Sequence, residues 1–171
     1  ISVYQQRPRP IEGAIWKRDK WRFYDEDPKD KIKEMTEVLQ SWDATFKGNE
    51  DSDYVCGHVW GRKRQDVFLF DEYRGQWDFN QTLRKIIEAS TAWPEASSKL
   101  IEDAANGPAI ENMLRSKVDY LELVPPIGSK EERAMVCQPV IEGGNAWLPN
   151  PDGDYAMKID PISGEPYNWV T

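Results

Sequence analysis

Residues 35–73 read MTEVLQSWDATFKGNEDSDYVCGHVWGRKRQDVFLFDEY and carry the clearest evidence for the architecture of this protein. Three of its segments are predicted to be β-strands: residues 35–42, 54–62 and 65–73. A polar loop with the turn pair Gly48-Asn49 joins the first two segments, and only Lys63-Arg64 joins the last two. Because such short connections join antiparallel neighbours, the sequence predicts a three-stranded meander whose first strand ends at Asp43.

Beyond this meander the apolar residues recur at helical spacing, as at Leu83, Ile86 and Ile87. Asp78 or Asn80 is the predicted N-cap of the first helix. Helices are predicted over residues 80–92, 109–116 and 130–141, and short strands over residues 98–102, 120–124 and 146–148. A meander followed by alternating helices and strands predicts an α/β fold with three layers and a mixed central sheet.

The two ends of the chain differ from this central part. Residues 1–30 are rich in proline and charge and are predicted to be an irregular lead-in, with extended pieces over residues 14–16 and 21–24. Its aromatic residues are expected to hold it against the body of the protein: Trp16, Trp21, Phe23 and Tyr24. The tail, residues 149–171, is rich in Pro, Gly and Asp and is expected to contain a hairpin over residues 162–166.

Composition limits the possible functions. The chain has 171 residues, 39% of them apolar and 30% charged, which suits one soluble globular domain with no membrane-spanning segment. The net charge of −8 argues against a general nucleic-acid binder, although a local basic strip beside a metal site is compatible with it. Two cysteines and one histidine are too few for a disulfide framework, a cysteine-rich zinc site or a multi-histidine centre. Any metal is therefore expected to be held mainly by oxygen, which favours magnesium or manganese, and His58 is expected to be structural.

The order of these elements is that of the ribonuclease H-like (RuvC-like) fold, in which carboxylates at strand ends hold two metal ions. Asp43 ends the first predicted strand and Glu102 ends the fourth. Those strands are neighbours in such a sheet, so we expect the two carboxylates to meet and to support two-metal catalysis. Asp103 is the second choice for the latter position; it either points to the opposite face of the sheet or caps the following helix. Asp43 also has a simpler interpretation, as an aspartate that caps a turn.

Several longer runs, in series, carry a family resemblance. Together they closely resemble the nuclease domain of the large terminase subunit of tailed bacteriophages, and the first resembles the segment that links the ATPase motor of this family to its nuclease. The runs are YQQRPRPIEGAIWKRDKWRFY (residues 4–24), QSWDATFKGNEDSDYVCGHVWGRKRQDVFLFDEYRGQWDF (40–79), LIEDAANG (100–107), GSKEERA (128–134) and VIEGGNAWLPNP (140–151).

The resemblance implies a Mg²⁺- or Mn²⁺-dependent endonuclease that cuts concatemeric double-stranded DNA when genome packaging begins and ends. Residues 31–171 would form the nuclease domain, and residues 1–30 the linker from an ATPase domain, whose phosphate loop G-x-x-x-x-G-K-[ST] is not found in this sequence. The implied partners are that ATPase domain, the small terminase subunit and the portal protein. The implied location is the host cytoplasm, outside the mature virion.

The resemblance also assigns roles to acidic residues. Asp43 matches the first catalytic carboxylate of the family, in S-W-D-x-A, and Glu102 matches the second. The third lies in a D-D-x-x-D-A-like run beyond the W-V that is Trp169-Val170 here, whereas the sequence ends at Thr171. We therefore expect weak metal binding and poor cleavage by this piece alone. The remaining acidic candidates are expected to be solvated loop residues: Asp51, Asp53, Asp152, Asp154 and Asp160.

Two basic groups are candidates for contact with DNA phosphates. Lys130 and Arg133 lie one turn apart on a predicted helix that approaches the site in the family, or else they are an exposed pair neutralised by Glu131 and Glu132. The second group is the densest basic run, in a hairpin connection, which suits backbone tracking but is also common in plain solvated turns: Arg62, Lys63 and Arg64.

Two other classes of protein remain open from the sequence. A junction resolvase or transposase of the same fold would share the carboxylates, but it would lack the lead-in of residues 4–24 and would dimerise. A non-catalytic interaction module would account for the net charge of −8 and for the absent third carboxylate.

Overall fold

The computed structural model of the chain describes residues 18–44, 54–104, 106–159 and 164–170. Within these ranges no helix is both long and apolar enough to cross a membrane. The largest feature is a seven-stranded sheet with the strand order β1-β7-β4-β3-β2-β5-β6. Its strands are β1 (Arg22–Tyr24), β2 (Glu37–Asp43), β3 (Val55–Lys63), β4 (Asp66–Gly75), β5 (Ser98–Glu102), β6 (Leu121–Val124) and β7 (Ala146–Pro149).

The predicted meander is confirmed. Strands β2, β3 and β4 pair antiparallel in sequence order, whereas β5 pairs parallel with β2 and β6 pairs parallel with β5. At the other edge β7 pairs parallel with β4, and β1 pairs parallel with β7. The sheet is therefore mixed, as predicted. In the tail β8 (Met157–Ile159) and β9 (Pro166–Asn168) form a separate antiparallel pair, which agrees with the expected hairpin, although residues 160–163 lie outside the described ranges.

The predicted helices are α2 (Phe79–Ala92), α3 (Gly107–Leu114) and α4 (Lys130–Glu142). Helices α2 and α4 each begin with a capping box, with Asp78 and Ser129 as the N-cap residues. In each box the side chain of the N-cap residue accepts a hydrogen bond from the backbone N–H of the third helical residue, and the side chain of that residue accepts one from the backbone N–H of the N-cap. The N-cap of α3 is Asn106, so the interpretation of Asp103 as that cap is wrong. A further helix, α1 (Pro28–Lys31), was not predicted. Its 4 residues are too few to show helical periodicity.

The two faces of the sheet have different environments. One face, the closed face, carries Trp42, Val55 and Ile101, which are at most 3% exposed. These residues belong to one apolar cluster with buried residues of α2 and α3, including Ile86 and Ile110. Helices therefore cover this face, and its burial accounts for much of the core.

The other face, the open face, carries the alternate residues of the same strands. Direct pairings across the sheet place the following residues on it: Leu39, Ser41 and Asp43 of β2, Cys56, His58 and Trp60 of β3, Glu72 of β4, and Ser98 and Leu100 of β5. Most of these side chains are only half-buried. Residues of α4 line a cavity together with Ser41 and Leu100, so α4 forms the third layer on this side.

The described part of the lead-in joins the body of the protein. Strand β1 forms the edge of the large sheet, and Tyr24, which is 3% exposed, donates a hydrogen bond from its hydroxyl to the carbonyl oxygen of Leu69 at 2.7 Å. Tyr24 also packs edge-on against Phe68 and Phe70. Tyr24 thus agrees with the expectation that aromatic residues hold the lead-in in place, whereas Phe23 is 45% exposed and Trp16 lies outside the described residues.

Candidate active site

Asp43 and Glu102 end two adjacent parallel strands. The last pair in the register of β2 and β5 is Trp42 with Ile101, and Asp43 and Glu102 are the next residue of each strand. Because side chains alternate along a strand, both carboxylates lie on the open face, at the carboxyl ends of their strands. Both line one cavity of about 990 Å³. The prediction that the strands ending at Asp43 and Glu102 are neighbours in the sheet is thus confirmed.

The walls of this cavity come from three parts of the fold. Its floor is the open face, with Ser41, Cys56, His58 and Leu100 beside the two carboxylates. One side is the connection between β6 and α4, and the other is the first half of α4. These contribute Val124, Pro125, Pro126, Ile127, Gly128, Glu132, Arg133 and Val136. Carboxylates beside largely apolar walls make a site at which an incoming phosphate loses water and electrostatic attraction is strengthened.

The other acidic candidates do not join the pair. Asp103 follows the end of β5, is exposed and is not among the residues that line the cavity, while its backbone N–H donates to the carbonyl oxygen of Val124 at 2.8 Å. Glu132 lines the cavity, but one of its carboxylate oxygens accepts a hydrogen bond from the N–H of Ser129 at 2.6 Å. Within the described ranges, Asp43 and Glu102 belong to no group of three metal-binding side chains.

Among the described residues, the loop and tail aspartates provide no metal ligand at this cavity. Asp152 and Asp154 are exposed, as expected for solvated turn residues. Asp51, Asp53 and Asp160 lie outside the described residues.

The structure places the two residues of the first basic pair, Lys130 and Arg133, in different environments. Arg133 is half-buried and lines the cavity, whereas Lys130 is exposed and is not among the lining residues. Glu132, one of the two predicted neutralising partners, is engaged in the cap of α4 instead. Arg133 is therefore the better placed of the two for contact with a phosphate at the carboxylates.

The basic run at residues 62–64 lies at the opposite end of the sheet. Strand β2 has 7 residues, so at about 3.4 Å per residue the run is about 20 Å from the carboxylates. Arg62 pairs with Glu37 at 2.6 Å and Lys63 pairs with Glu34 at 2.8 Å. Arg64 has a positive φ of 58° in the tight turn between β3 and β4. A DNA contact by this run stays a prediction, and it would require a duplex that extends well beyond the cavity.

A second group of polar side chains lies beside the carboxylates. The Cys56 sulfur is 3.7 Å from Nε2 of His58 and 3.9 Å from Oε1 of Glu72. Burial, with a smaller contribution from the charge of Glu72, raises the pKa of the Cys56 thiol to about 11. Burial, reinforced by the charge of Lys158, lowers the pKa of His58, and burial raises the pKa of Glu72. In each case burial disfavours the charged form of the group.

Sequence reasoning assigned no role to Cys56 or Glu72 and treated His58 as structural. The available signal was the spacing of Cys56 and His58, which are two residues apart and so face the same side of a strand. The contribution of Glu72 depends on the pairing of β4 with β3, which places it opposite His58.

A mixed sheet with helices on both sides and two carboxylates at the ends of adjacent parallel strands is the architecture of an RNase H-like domain. The sequence model of one family, described as the terminase RNaseH-like domain, matches residues 40–162, and this chain belongs to that family. The match confirms the predicted resemblance and favours it over a junction resolvase or transposase. No curated protein sequence matches the chain.

Solved structures of phage terminases share the fold. The large terminase nuclease from thermophilic phage G20c with bound magnesium has a TM-score of 0.60 at 15% identity, covering 93% of this chain and 88% of that chain. The large terminase nuclease domain from bacteriophage SPP1 with bound Mn has a TM-score of 0.54 at 9% identity, covering 87% and 85%. The large terminase from another thermophilic bacteriophage has a TM-score of 0.56 at 11% identity; the match covers 90% of this chain but spans only 40% of that one.

Proposed function

We propose that this chain is a Mg²⁺- or Mn²⁺-dependent DNA endonuclease domain of a viral packaging terminase. The observation that carries the proposal is the position of Asp43 and Glu102, which are side by side at the ends of β2 and β5 and line one cavity. Membership of the terminase RNaseH-like domain family supports the choice of DNA as substrate. The metal-bound nucleases from G20c and SPP1 support the choice of cation.

The residues at the site fit a hard divalent cation. Asp43 and Glu102 offer carboxylate oxygens, and Mg²⁺ in proteins is commonly held by one or two carboxylates with waters and substrate phosphates as its other ligands. A bound cation supplies Lewis-acid stabilisation of the charge that develops on the phosphodiester oxygens. Because no third metal-binding side chain in the described ranges groups with these two, we expect weak metal binding and slow cleavage.

The chain itself would position the substrate. Asp43 and Glu102 would hold the cation, and Arg133, from the wall of the cavity, would donate hydrogen bonds to a phosphate oxygen. Contacts of this kind read the DNA backbone and carry little sequence information. We therefore propose that the choice of cutting site comes from the ATPase domain, the small terminase subunit and the portal protein. Cutting would occur in the host cytoplasm when packaging of concatemeric DNA begins and ends.

Substitution of the carboxylates tests the proposal. In manganese, nicking of plasmid DNA should fall at least about 100-fold in Asp43→Asn and in Glu102→Gln, because even supporting residues of a metal site are worth about 10–100-fold. Calorimetric titration with manganese should lose its heat in the same variants. Glu122→Gln is the matched control, because Glu122 is exposed, lies on the neighbouring strand β6 and is not among the residues that line the cavity.

The same measurements separate the alternatives. Unchanged nicking in Asp43→Asn would contradict the proposal. Absence of both heat and nicking in the intact chain would favour the non-catalytic interaction module. Circular dichroism of each variant checks that the fold is retained.

A further inference from the structure

We propose that Cys56, His58 and Glu72 form a binding site for a borderline-soft divalent metal of the Zn²⁺ class. The three ligand atoms lie within 4.8 Å of one another, and this is the one such group of three in the described part of the chain. The site lies on the open face next to Asp43, which is paired with Cys56 across the sheet. The proposal does not depend on the hydrolytic function, because it concerns different ligands and a different class of metal.

The sheet holds the three side chains in place. Cys56 and His58 are two residues apart on β3, so both point to the open face, and Glu72 of β4 is paired directly with His58. Strand β3 lies inside the sheet, between β4 and β2, and is hydrogen-bonded on both sides. Ligands on paired central strands are positioned more accurately than ligands on loops, which favours metal binding.

The distances are close to those of a tetrahedral zinc site. With Zn–S near about 2.3 Å and Zn–N or Zn–O near about 2.0–2.1 Å, tetrahedral angles separate the sulfur from each other ligand by roughly 3.6 Å. The sulfur of Cys56 is 3.7 Å from Nε2 of His58 and 3.9 Å from Oε1 of Glu72. Small side-chain rotations would therefore bring all three atoms to bonding distance.

The ligand types select the metal. A thiolate, an imidazole and a carboxylate suit Zn²⁺, whereas Mg²⁺ and Mn²⁺ prefer sites made of oxygen only, such as Asp43 with Glu102. On binding, the Cys56 thiol releases its proton to solvent and the sulfur forms the metal bond. One thiolate and one carboxylate then neutralise the two charges of the cation, which suits a half-buried position. Three protein ligands leave the fourth position of a tetrahedral ion open.

The nearby cations are engaged elsewhere. Lys158 donates hydrogen bonds to the carboxylate of Asp71 and to the backbone carbonyl of Glu72, so its charge is balanced by Asp71. The guanidinium of Arg74 stacks on the ring of Tyr54 at 3.8 Å. Neither cation is bonded to the ligand atoms of the three residues, and both leave them available for a metal.

This site changes one expectation from composition. Because the chain has a single histidine and two cysteines, any metal was expected to be held mainly by oxygen. The fold instead brings one sulfur, one nitrogen and one oxygen together from two strands, which makes a mixed site from few residues.

Cobalt provides a direct test that does not involve catalysis. The intact chain, freed of metal with a chelator, is titrated with Co²⁺ and followed by absorption spectroscopy. We expect tetrahedral ligand-field bands in the visible range and a thiolate-to-cobalt charge-transfer band in the near ultraviolet, at one ion per chain. One equivalent of Zn²⁺ should abolish both signals, because Zn²⁺ binds such sites more tightly than Co²⁺.

Variants locate the ion. Cys56→Ser should lose the charge-transfer band, and Glu72→Gln should weaken Co²⁺ binding by at least about tenfold, the lower end of what loss of a supporting residue costs. Cys137→Ser is the matched control, because Cys137 is the exposed cysteine on α4, and its spectrum should be unchanged. Asp43→Asn should keep the charge-transfer band even though it loses manganese-dependent cleavage.

Three outcomes would overturn the proposal. A charge-transfer band that survives in Cys56→Ser and disappears in Cys137→Ser would place the metal on α4. Loss of the bands in Asp43→Asn but not in Glu72→Gln would place it at the proposed hydrolytic site. Absence of tetrahedral bands in the intact chain would show that the three residues are only a hydrogen-bonded cluster.

Discussion

The closed and open faces of the sheet are built from the same strands but have different roles. On β5, Ile101 is fully buried under α2 and α3, whereas Leu100 and Glu102, its neighbours in sequence, line the cavity on the other side. The closed face therefore buries large apolar side chains, and the open face carries the carboxylates, the thiol and the imidazole that line the cavity.

This difference has a physical basis. Desolvating a carboxylate or a thiolate is costly, so such groups are placed where water, a cation or a substrate can reach them. The half-buried open face meets this condition while keeping each side chain fixed by the backbone of the sheet. Stability and chemistry can then be altered separately by substitutions one residue apart.

The largest expected difference between the faces is in stability. Ile101→Ala should lower the free energy of unfolding by about 2–5 kcal/mol, because it removes a fully buried side chain and leaves a cavity. Leu100→Ala, the matched control on the open face, should cost about 1 kcal/mol or less. Urea unfolding of both variants measures the difference, and equal losses would contradict the assignment of the two faces.

A glycine on the closed face should be nearly as sensitive. A β-carbon added at Gly57 would lie 2.4 Å from the ring of Trp42, so Gly57→Ala should destabilise the protein by about 1–3 kcal/mol through overpacking. Ser41→Ala, on the open face, should change the free energy of unfolding by no more than about 0.5 kcal/mol. Unfolding of Gly57→Ala at the same urea concentration as the parent would contradict the close contact between Gly57 and the ring of Trp42.

A smaller effect is expected for a charge above the open face. Arg133→Ala should lower DNA cleavage in manganese about tenfold, which is the size of one charge-assisted hydrogen bond. In a plot of the logarithm of the DNA-binding constant against the logarithm of the salt concentration, the slope for Arg133→Ala should also be less steep by about one unit. Arg64→Ala, at the far end of the sheet, should change cleavage less than Arg133→Ala does. The reverse order would indicate that DNA lies along the turn between β3 and β4.

The smallest effect is a pH dependence on the open face. Burial lowers the pKa of His58 below its ordinary value of 6.5, so the unfolded chain binds more protons than the folded chain as the pH falls below neutrality. Stability should therefore decrease between about pH 7 and the lowered pKa of His58. Glu72, with its raised pKa, acts in the opposite direction, but it is present in both parent and His58→Gln.

Urea unfolding in the presence of a chelator isolates this effect. The parent should lose more stability than His58→Gln as the pH falls from 7.5 to 5.5 in steps of about half a unit. Parallel curves for the two proteins would show that His58 titrates alike in the folded and unfolded states.

Local sequence patterns predicted the bounds of several strands closely. Strand β5 (Ser98–Glu102) has the predicted bounds, and β2 ends at Asp43 as predicted. The short helix α1 was missed because one turn has no periodicity. Asp103 was misjudged as a helix cap because β5 ends one residue before it and α3 begins only after Asn106.

The candidate site was predictable only in part. The positions of Asp43 and Glu102 follow from strand ends and strand order, both of which the sequence pattern and the family resemblance indicated. It was not predictable that Arg133 lines the cavity and Lys130 does not, because this depends on how α4 is rotated above the sheet. The distance of residues 62–64 from the carboxylates follows from the antiparallel direction of β3, but a charge run in the sequence does not show it.

The meander, the three long helices, the two strand-end carboxylates and the shortage of sulfur and nitrogen ligands could all be inferred from the order of the amino acids. These are local properties, fixed by side-chain spacing and by chain order. The packed fold was needed to show which face stays open, which basic residue lines the cavity, and that Cys56, His58 and Glu72 lie together. Register, with its irregularity between Val59 and Trp60, depends on pairing between strands distant in sequence, and such pairing is a property of the whole sheet.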